Sequence, residues 1–245
     1  MDKKHSFALK LVSKNGLNLG YLSKELRNDK TIVLESVKQD GCALKFASKK
    51  LKKNKQIVLE AIKRNIWVLQ YASKLLINRK DFISKAVKIN FLALRFCSNK
   101  IKNNKKIVLK ALNQHASVLK YISPNFQRDR DIVLKIVKNN IYSLEYVIDK
   151  FRNDKKVVLE AVKKFGLNLF YASKKLRNNR QIVLEAVKKN GYALQYASKR
   201  LKNDKEVVLT AVKENGRALR YVPKSLCNYS DVVDIAKNNI RYQPF

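Results

Sequence analysis

The chain has 245 residues, with 54 Lys and Arg against 19 Asp and Glu and a formal net charge of +35. Hydrophobic residues make up 46% of it, enough for a packed core, so the charge does not signal a disordered polycation. No apolar run approaches the length of a membrane span, and insertion into a bilayer is not expected.

At the start of the chain, Phe7 to Val12 is a short apolar stretch interrupted by Lys10. It reads as a helix rather than a secretory leader, so the expected location is intracellular, cytoplasmic or nuclear, and not secreted. From there an aromatic residue recurs every 25 positions: Tyr21, Phe46, Tyr71, Phe96, Tyr121, Tyr146, Tyr171, Tyr196 and Tyr221. A leucine stands two residues before each, from Leu19 to Leu219. A unit this short cannot bury its apolar face alone and must stack on its neighbours. The spacing predicts an all-α solenoid of nine helix-helix-turn repeats, with units 4–28, 29–53, 54–78, 79–103, 104–128, 129–153, 154–178, 179–203 and 204–228. A degenerate capping helix is expected over 229–245, where Asp234 and Lys237 replace apolar residues. No Gly/Ser/Pro-rich linker separates the units, so 1–245 is expected to form one continuous body.

Within a unit, Ile182 to Lys189 places Ile182, Val183, Ala186 and Val187 on one helical face. Asn178 with Gln181, Asn78 with Asp81 and Asn203 with Glu206 fit N-caps with capping boxes. Asn190 and Gly191 are expected to end the helix by tolerating a left-handed backbone, and Gly191 to Ala197 to form a second, shorter helix. A serine column (Ser23, Ser48, Ser73, Ser98, Ser123, Ser173, Ser198), with Pro124 and Pro223 at or beside it, predicts a capped single turn next. The aromatic column keeps register with the leucines and accepts Phe in place of Tyr, which assigns it to packing rather than to stacking on bases.

The best copy of the consensus, IVLEAVKKNGYALQYASKRLKNDKE from Ile182 to Glu206, follows the pattern V-L-x-A-V-x-x-N-G-x-A-L-x-Y-A-S-x-x-L-x-N-D. This resembles the short helical repeats called domain of unknown function 4116. The likeness covers essentially the whole chain and is looser in units three to six, with Ser84 for leucine and Ile148 for serine. It implies an all-helical array with no agreed activity and no catalytic residues to transfer.

Function must therefore be argued from what the core leaves unexplained. Cys42, Cys97 and Cys227 occupy different places in the repeat, and His5 and His115 lack ligand-spaced partners, so no disulfide ladder or metal set is expected. With no nucleophile–base set and no phosphate-binding glycine loop, the expectation is a non-enzymatic monomer without cofactor or small-molecule substrate. Adhesion to an anionic membrane would need an amphipathic anchor that the sequence lacks.

Two cationic ladders run through the repeats. Lys38, Lys63, Lys88, Lys138, Lys163, Lys188 and Lys213 lie late in the long helix, where a cation complements the dipole and pairs with a glutamate three residues earlier. Lys30, Lys55, Lys80, Lys105, Arg130, Lys155, Arg180 and Lys205 lie in its first turn, where a cation opposes the dipole. Either their stems cover the previous turn or they face an anion.

From Phe82 to Arg128 there is no acidic residue, and the column holding Glu35, Glu60, Glu160 and Glu185 becomes Lys85, Lys110 and Lys135. Lys85 with Lys88 and Lys135 with Lys138 are then like charges one helical turn apart, each costing a few tenths of a kcal/mol. The candidate polyanion-binding residues are Lys80, Lys85, Lys88, Lys105, Lys106, Lys110, Lys120, Arg130, Lys135 and Lys138. Their expected partner is nucleic acid, held through its phosphate backbone; the alternative is scaffolding of an acidic protein. A variable column at the start of the second helix (Leu17, Cys42, Trp67, Leu92, Ser117, Tyr142, Leu167, Tyr192, Arg217) is expected to be exposed. RNA-reading helical repeats use such columns, and drift at an exposed site produces the same variation.

Overall fold

The computed structural model describes residues 3–224, 226 and 230–241; Cys227 lies outside them. Long helices recur at the repeat period: α1 (Lys3–Lys14), α2 (Lys30–Gln39), α3 (Lys55–Arg64), α4 (Lys80–Ile89), α5 (Lys105–Leu112), α6 (Arg130–Asn139), α7 (Lys155–Lys164), α8 (Arg180–Lys189), α9 (Lys205–Glu214) and α10 (Ser230–Arg241). Between them the chain makes a 3-10 segment such as Gly191–Tyr196, a short extended link and a single turn such as Lys199–Lys202. Among the described residues there is no strand.

Contacts group the chain into two compact units, Met1–Ser123 and Pro124–Phe245. In the first, α1 to α5 lie side by side in order; in the second, α6 to α10 do the same. Within each unit the long helices form one layer and the 3-10 segments another, with the core between. The helix register follows from sequence: Ile182, Val183, Ala186 and Val187 are all 0% exposed. The leucine column from Leu19 to Leu194 forms the other wall and is at most 2% exposed, each full burial being worth roughly 1.5–3 kcal/mol. In α10, Val232 and Ala236 are buried while Asp234 and Lys237 are exposed.

Three local expectations are corrected. The N-caps fall one residue later than the sequence suggested: Asp29, Asn54, Asn104, Asp129, Asp154, Asn179 and Asp204 accept amide hydrogens of the first turn. The asparagines before them serve the joints between repeats instead. Ser198 Oγ donates to Asn178 Oδ1 at 2.6 Å, Ser173 Oγ to Asn153 at 2.7 Å and Ser48 Oγ to Asn28 at 2.7 Å. Ser48, Ser173 and Ser198 thus each cap their own turn and tie it to the preceding repeat, whereas Ser73 and Ser98 make no side-chain cap.

The second correction concerns the end of the long helix. No described glycine has positive φ. Asn190 is extended (φ −163°) and its side chain accepts the amide of Tyr192, so it starts the 3-10 segment rather than closing a left-handed turn. Gly191 is needed for closeness: a Cβ there would sit 2.4 Å from Ala211 O in the next long helix. The same close approach recurs at Gly16, Gly41 and Gly166.

The third correction is one of place: the aromatic column packs against neighbouring rings, as Tyr171 and Tyr196 do on Phe170, but at the surface and not in the core. Tyr21 is 88% exposed and the other members are half-buried, on the outer surface of the 3-10 layer. A 3-10 helix turns 120° per residue, so a residue two places after an inward leucine cannot also point inward.

The acidic N-caps make a testable joint. Asp154 accepts two first-turn amides and a bidentate pair from Arg130 (Nε 2.7 Å, Nη2 3.0 Å), which holds its carboxyl below the usual range. Asp154→Asn keeps the cap and should cost no more than about 1 kcal/mol, whereas Asp154→Ala should cost about 0.5–2 kcal/mol for the cap alone. Denaturant titration of both variants checks the difference. Asp81, hydrogen-bonded to Lys55, is lowered to about 2. Because these folded-state pKa values are depressed, their stabilisation is complete above about pH 4. It is lost as pH falls from there, at Asp81 toward about 2.

Candidate polyanion-binding surface

The ladder in the first turn of each long helix runs between repeats. Arg130 reaches Asp154, Arg180 reaches Asp204 (2.8 Å) and also Glu206, Lys55 reaches Asp81, and Lys205 reaches Asp231 (2.9 Å). His5 stands in the same column and its Nε2 lies 3.4 Å from Asp29. At these positions the cation that opposes its own helix dipole is balanced by a carboxylate at the N-terminus of the next helix; Lys30, Lys80, Lys105 and Lys155 have no such partner among the described residues. Sequence reasoning weighed only stems or an external anion; the acids 24 and 26 positions ahead of the cations were the available signal.

The late-helix ladder is internally paired where a glutamate precedes it. Lys38 with Glu35, Lys63 with Glu60, Lys163 with Glu160 and Lys188 with Glu185 lie 2.7–3.8 Å apart. Lys138 turns instead to Glu160 of the next repeat at 3.8 Å.

The acid-free stretch is different. Lys80, Lys85 and Lys88 on α4 and Lys105 and Lys106 on α5 are exposed, and among the described residues none of them is ion-paired. Asp81, the last acid before the stretch, is taken by Lys55 and Arg79. Lys110 is half-buried and its Nζ donates to Ser84 Oγ at 3.0 Å, so the Leu-to-Ser and Glu-to-Lys departures at these two columns meet in one hydrogen bond. Lys85 and Lys88 also line an open groove with Lys55 and Lys63 of α3, two cations that the candidate set omitted.

These residues belong to the first compact unit, as does the exposed Lys120, which lies on the 3-10 layer and not on the long-helix face. Arg130, Lys135 and Lys138 belong to the second. There Arg130 and Lys138 are engaged with Asp154 and Glu160, and Lys135 is exposed without an ion pair.

On the 3-10 face the aromatic column mixes with cations. The Arg95 guanidinium lies 4.8 Å from the Trp67 ring centroid and 5.9 Å from Tyr121; Arg220 lies 5.7 Å from Tyr221. In the variable column Leu17, Trp67, Tyr142 and Arg217 are exposed and Cys42, Leu92, Ser117, Leu167 and Tyr192 are half-buried. His115 takes the Asn position at the start of its 3-10 segment: Nδ1 accepts the Ser117 amide, and the ring stacks on Phe91 at 5.1 Å. Burial pushes the Cys97 thiol up to about 12, which leaves it an unreactive packing group.

An all-helical tandem-repeat protein is what this geometry defines. The chain belongs to the family described as domain of unknown function (DUF4116), whose pattern matches residues 6–52, 30–77, 79–127, 129–177 and 179–227. No curated protein and no solved structure matches it. Among the described residues no group of His, Cys, Asp and Glu is arranged to hold a metal ion, and no helix is long and apolar enough to cross a membrane.

Proposed function

We propose that the protein is a non-enzymatic binder of nucleic acid, engaging phosphates through the outer face of α4 and α5. The observation that carries this reading is selective pairing. Lys38, Lys55, Lys63, Arg130, Lys138, Lys163, Arg180, Lys188 and Lys205 of the two ladders meet carboxylates, and Lys30, Lys155 and Lys213 are isolated unpaired members among the described residues, whereas Lys80, Lys85, Lys88, Lys105 and Lys106 cluster on two adjacent helices with no carboxylate partner. Like charges held on one helical face cost folding free energy, and a polyanion offsets that cost while releasing its counterions.

The test replaces Lys85, Lys88, Lys105, Lys106 and Lys110 with Gln. Four of the five are exposed and Lys110 is half-buried, so the fold should survive. Affinity for a labelled single strand and a labelled duplex should fall. The salt dependence should flatten by about one unit of slope for each phosphate that is no longer held. Replacing Lys63, Lys163 and Lys188, whose charges are already met by glutamates, should change much less. Equal losses in both sets would mean that only net charge matters. Tight binding to an acidic protein, with no affinity for either polymer, would replace this reading with scaffolding.

A further inference from the structure

One repeat departs from the consensus at three columns, and each departure carries a local cost. Phe165 stands where the other repeats have Asn, Asp or His, and its 3-10 segment has no side-chain cap. Asn168 stands where all but one of the others have Ala, Val or Ser. It is 0% exposed; its Nδ2 donates to Ile141 O (2.7 Å) and Ala161 O (2.9 Å), and its Oδ1 has no partner. An unsatisfied buried carbonyl costs roughly 1–3 kcal/mol. Phe170 stands where the others have Gly or a polar residue, and half of it is exposed. The two Asn168 bonds serve repeat packing, but the uncapped segment, the unpartnered Oδ1 and the exposed Phe170 do not, and costs concentrated at one place are what a site looks like.

The three residues meet. With Tyr142, Tyr171 and Tyr196 they line a cleft of about 180 Å³ in the second unit. Its walls are steep: Tyr142 meets Phe165 at 5.1 Å and 79°, and Phe170 meets Tyr171 at 4.9 Å and 80° and Tyr196 at 5.0 Å and 59°. The local charge is also unusual. Glu145 is the one carboxylate in any described 3-10 segment, in a column that otherwise holds Lys45, Arg95, Lys120 and Arg220 or the uncharged Gly20, Gln70, Phe170 and Gln195. It lies beside Tyr171, whose phenol is raised by burial and then by that carboxylate. Arg152, also nearby, is engaged by acceptors: Nη2 donates to Glu145 O at 2.9 Å and Nη1 lies 3.3 Å from Asp149.

We infer that this aromatic cup binds a methylated ammonium group, with Tyr142, Phe165, Phe170, Tyr171 and Tyr196 as walls, Asn168 at its base and Glu145 at its rim. Ring faces attract cations most strongly when desolvated, and quaternary ammonium groups lose little hydration on entry. A phosphate-bearing ligand would instead meet a carboxylate at the point where the preceding repeat offers Lys120. The cup is independent of the lysine face, so its test can fail without touching the nucleic-acid reading.

The experiment follows the N-methyl proton resonances of choline, and of a short peptide carrying trimethyllysine, on titration with the full chain. Ring currents in the cup should shift these resonances upfield in a saturable manner. Neutral dimethylbutanol, the carbon isostere of choline, and the unmethylated peptide should bind at least tenfold more weakly. Phe170→Ala should weaken binding about tenfold, and Glu145→Gln several-fold, with unchanged circular dichroism, since neither side chain is buried. Preference for the peptide over choline would identify a methylated protein as the source of the ligand, and the reverse a small molecule. The inference is overturned if wild type shifts neither probe, if dimethylbutanol matches choline, if adenosine outcompetes both, or if the two folded variants bind as wild type does.

Discussion

Leu144→Ala should destabilise the second unit by about 2–5 kcal/mol, through lost burial and the cavity left behind. Leu144 is 0% exposed between α6 and its own 3-10 segment, and its repeat is the one whose segment is shortest, so little nearby structure can collapse into the space. In a repeat array stability is a sum of unit and nearest-neighbour terms. Hydrogen exchange should therefore quicken first in α6 and α7, and only later in α9 and α10. Uniform loosening of the second unit would contradict that local coupling.

The next largest effect is steric. In Gly41→Ala the new Cβ would lie 2.4 Å from Ala61 O and 3.2 Å from both Ala61 C and Arg64 Cβ. Two of these are backbone atoms of α3, so relief requires moving the helix, not rotating a side chain. Overpacking of this kind costs about 1–3 kcal/mol, occasionally more. Backbone strain plays no part, because φ at this glycine is not positive. Ile66 and Phe91 occupy the same column in later repeats of the first unit, so the approach of the following helix must be wider there, and Ala116 in this column already carries a Cβ. Accordingly Ala116→Gly should cost far less than Gly41→Ala, and thermal unfolding of the two variants compares them. Equal costs would mean that the close approach at Gly41 is not the reason for its glycine.

Much of the architecture could be read from the chain, because period and register are properties of residue spacing. The 25-residue recurrence, the leucine wall and the Ile182/Val183/Ala186/Val187 face all appear where periodicity put them. What could not be read were relations set by the 3-10 geometry and by the neighbouring repeat. An α-like second helix was expected where three residues per turn prevail, which obscured how far the aromatic column faces outward. Asn178 resembled an N-cap because the residue that does cap, Asn179, is equally suited; only the distance to Ser198 separates their roles. The cationic ladder looked unexplained until Arg130 and Arg180 were found facing Asp154 and Asp204. Lys80, Lys85, Lys88, Lys105 and Lys106 were visible as an acid-free run, and their lack of ion pairs is a structural fact that composition alone could not supply. The aromatic cup was written in the sequence as three unusual residues in one unit, but nothing in a single chain said that Phe165, Asn168 and Phe170 converge with Tyr142 from the repeat before.

The measurement that bears most directly on the proposed function is the salt dependence of wild-type binding to a labelled single strand and a labelled duplex. If phosphates are held by the unpaired lysines, log affinity should fall linearly with log salt. The slope should be about −0.9 per phosphate neutralised on duplex and about −0.7 on single strand. The five-lysine variant should give a shallower line. A flat line, or no binding of wild type to either polymer at low salt, would contradict the assignment of this cationic face to nucleic acid.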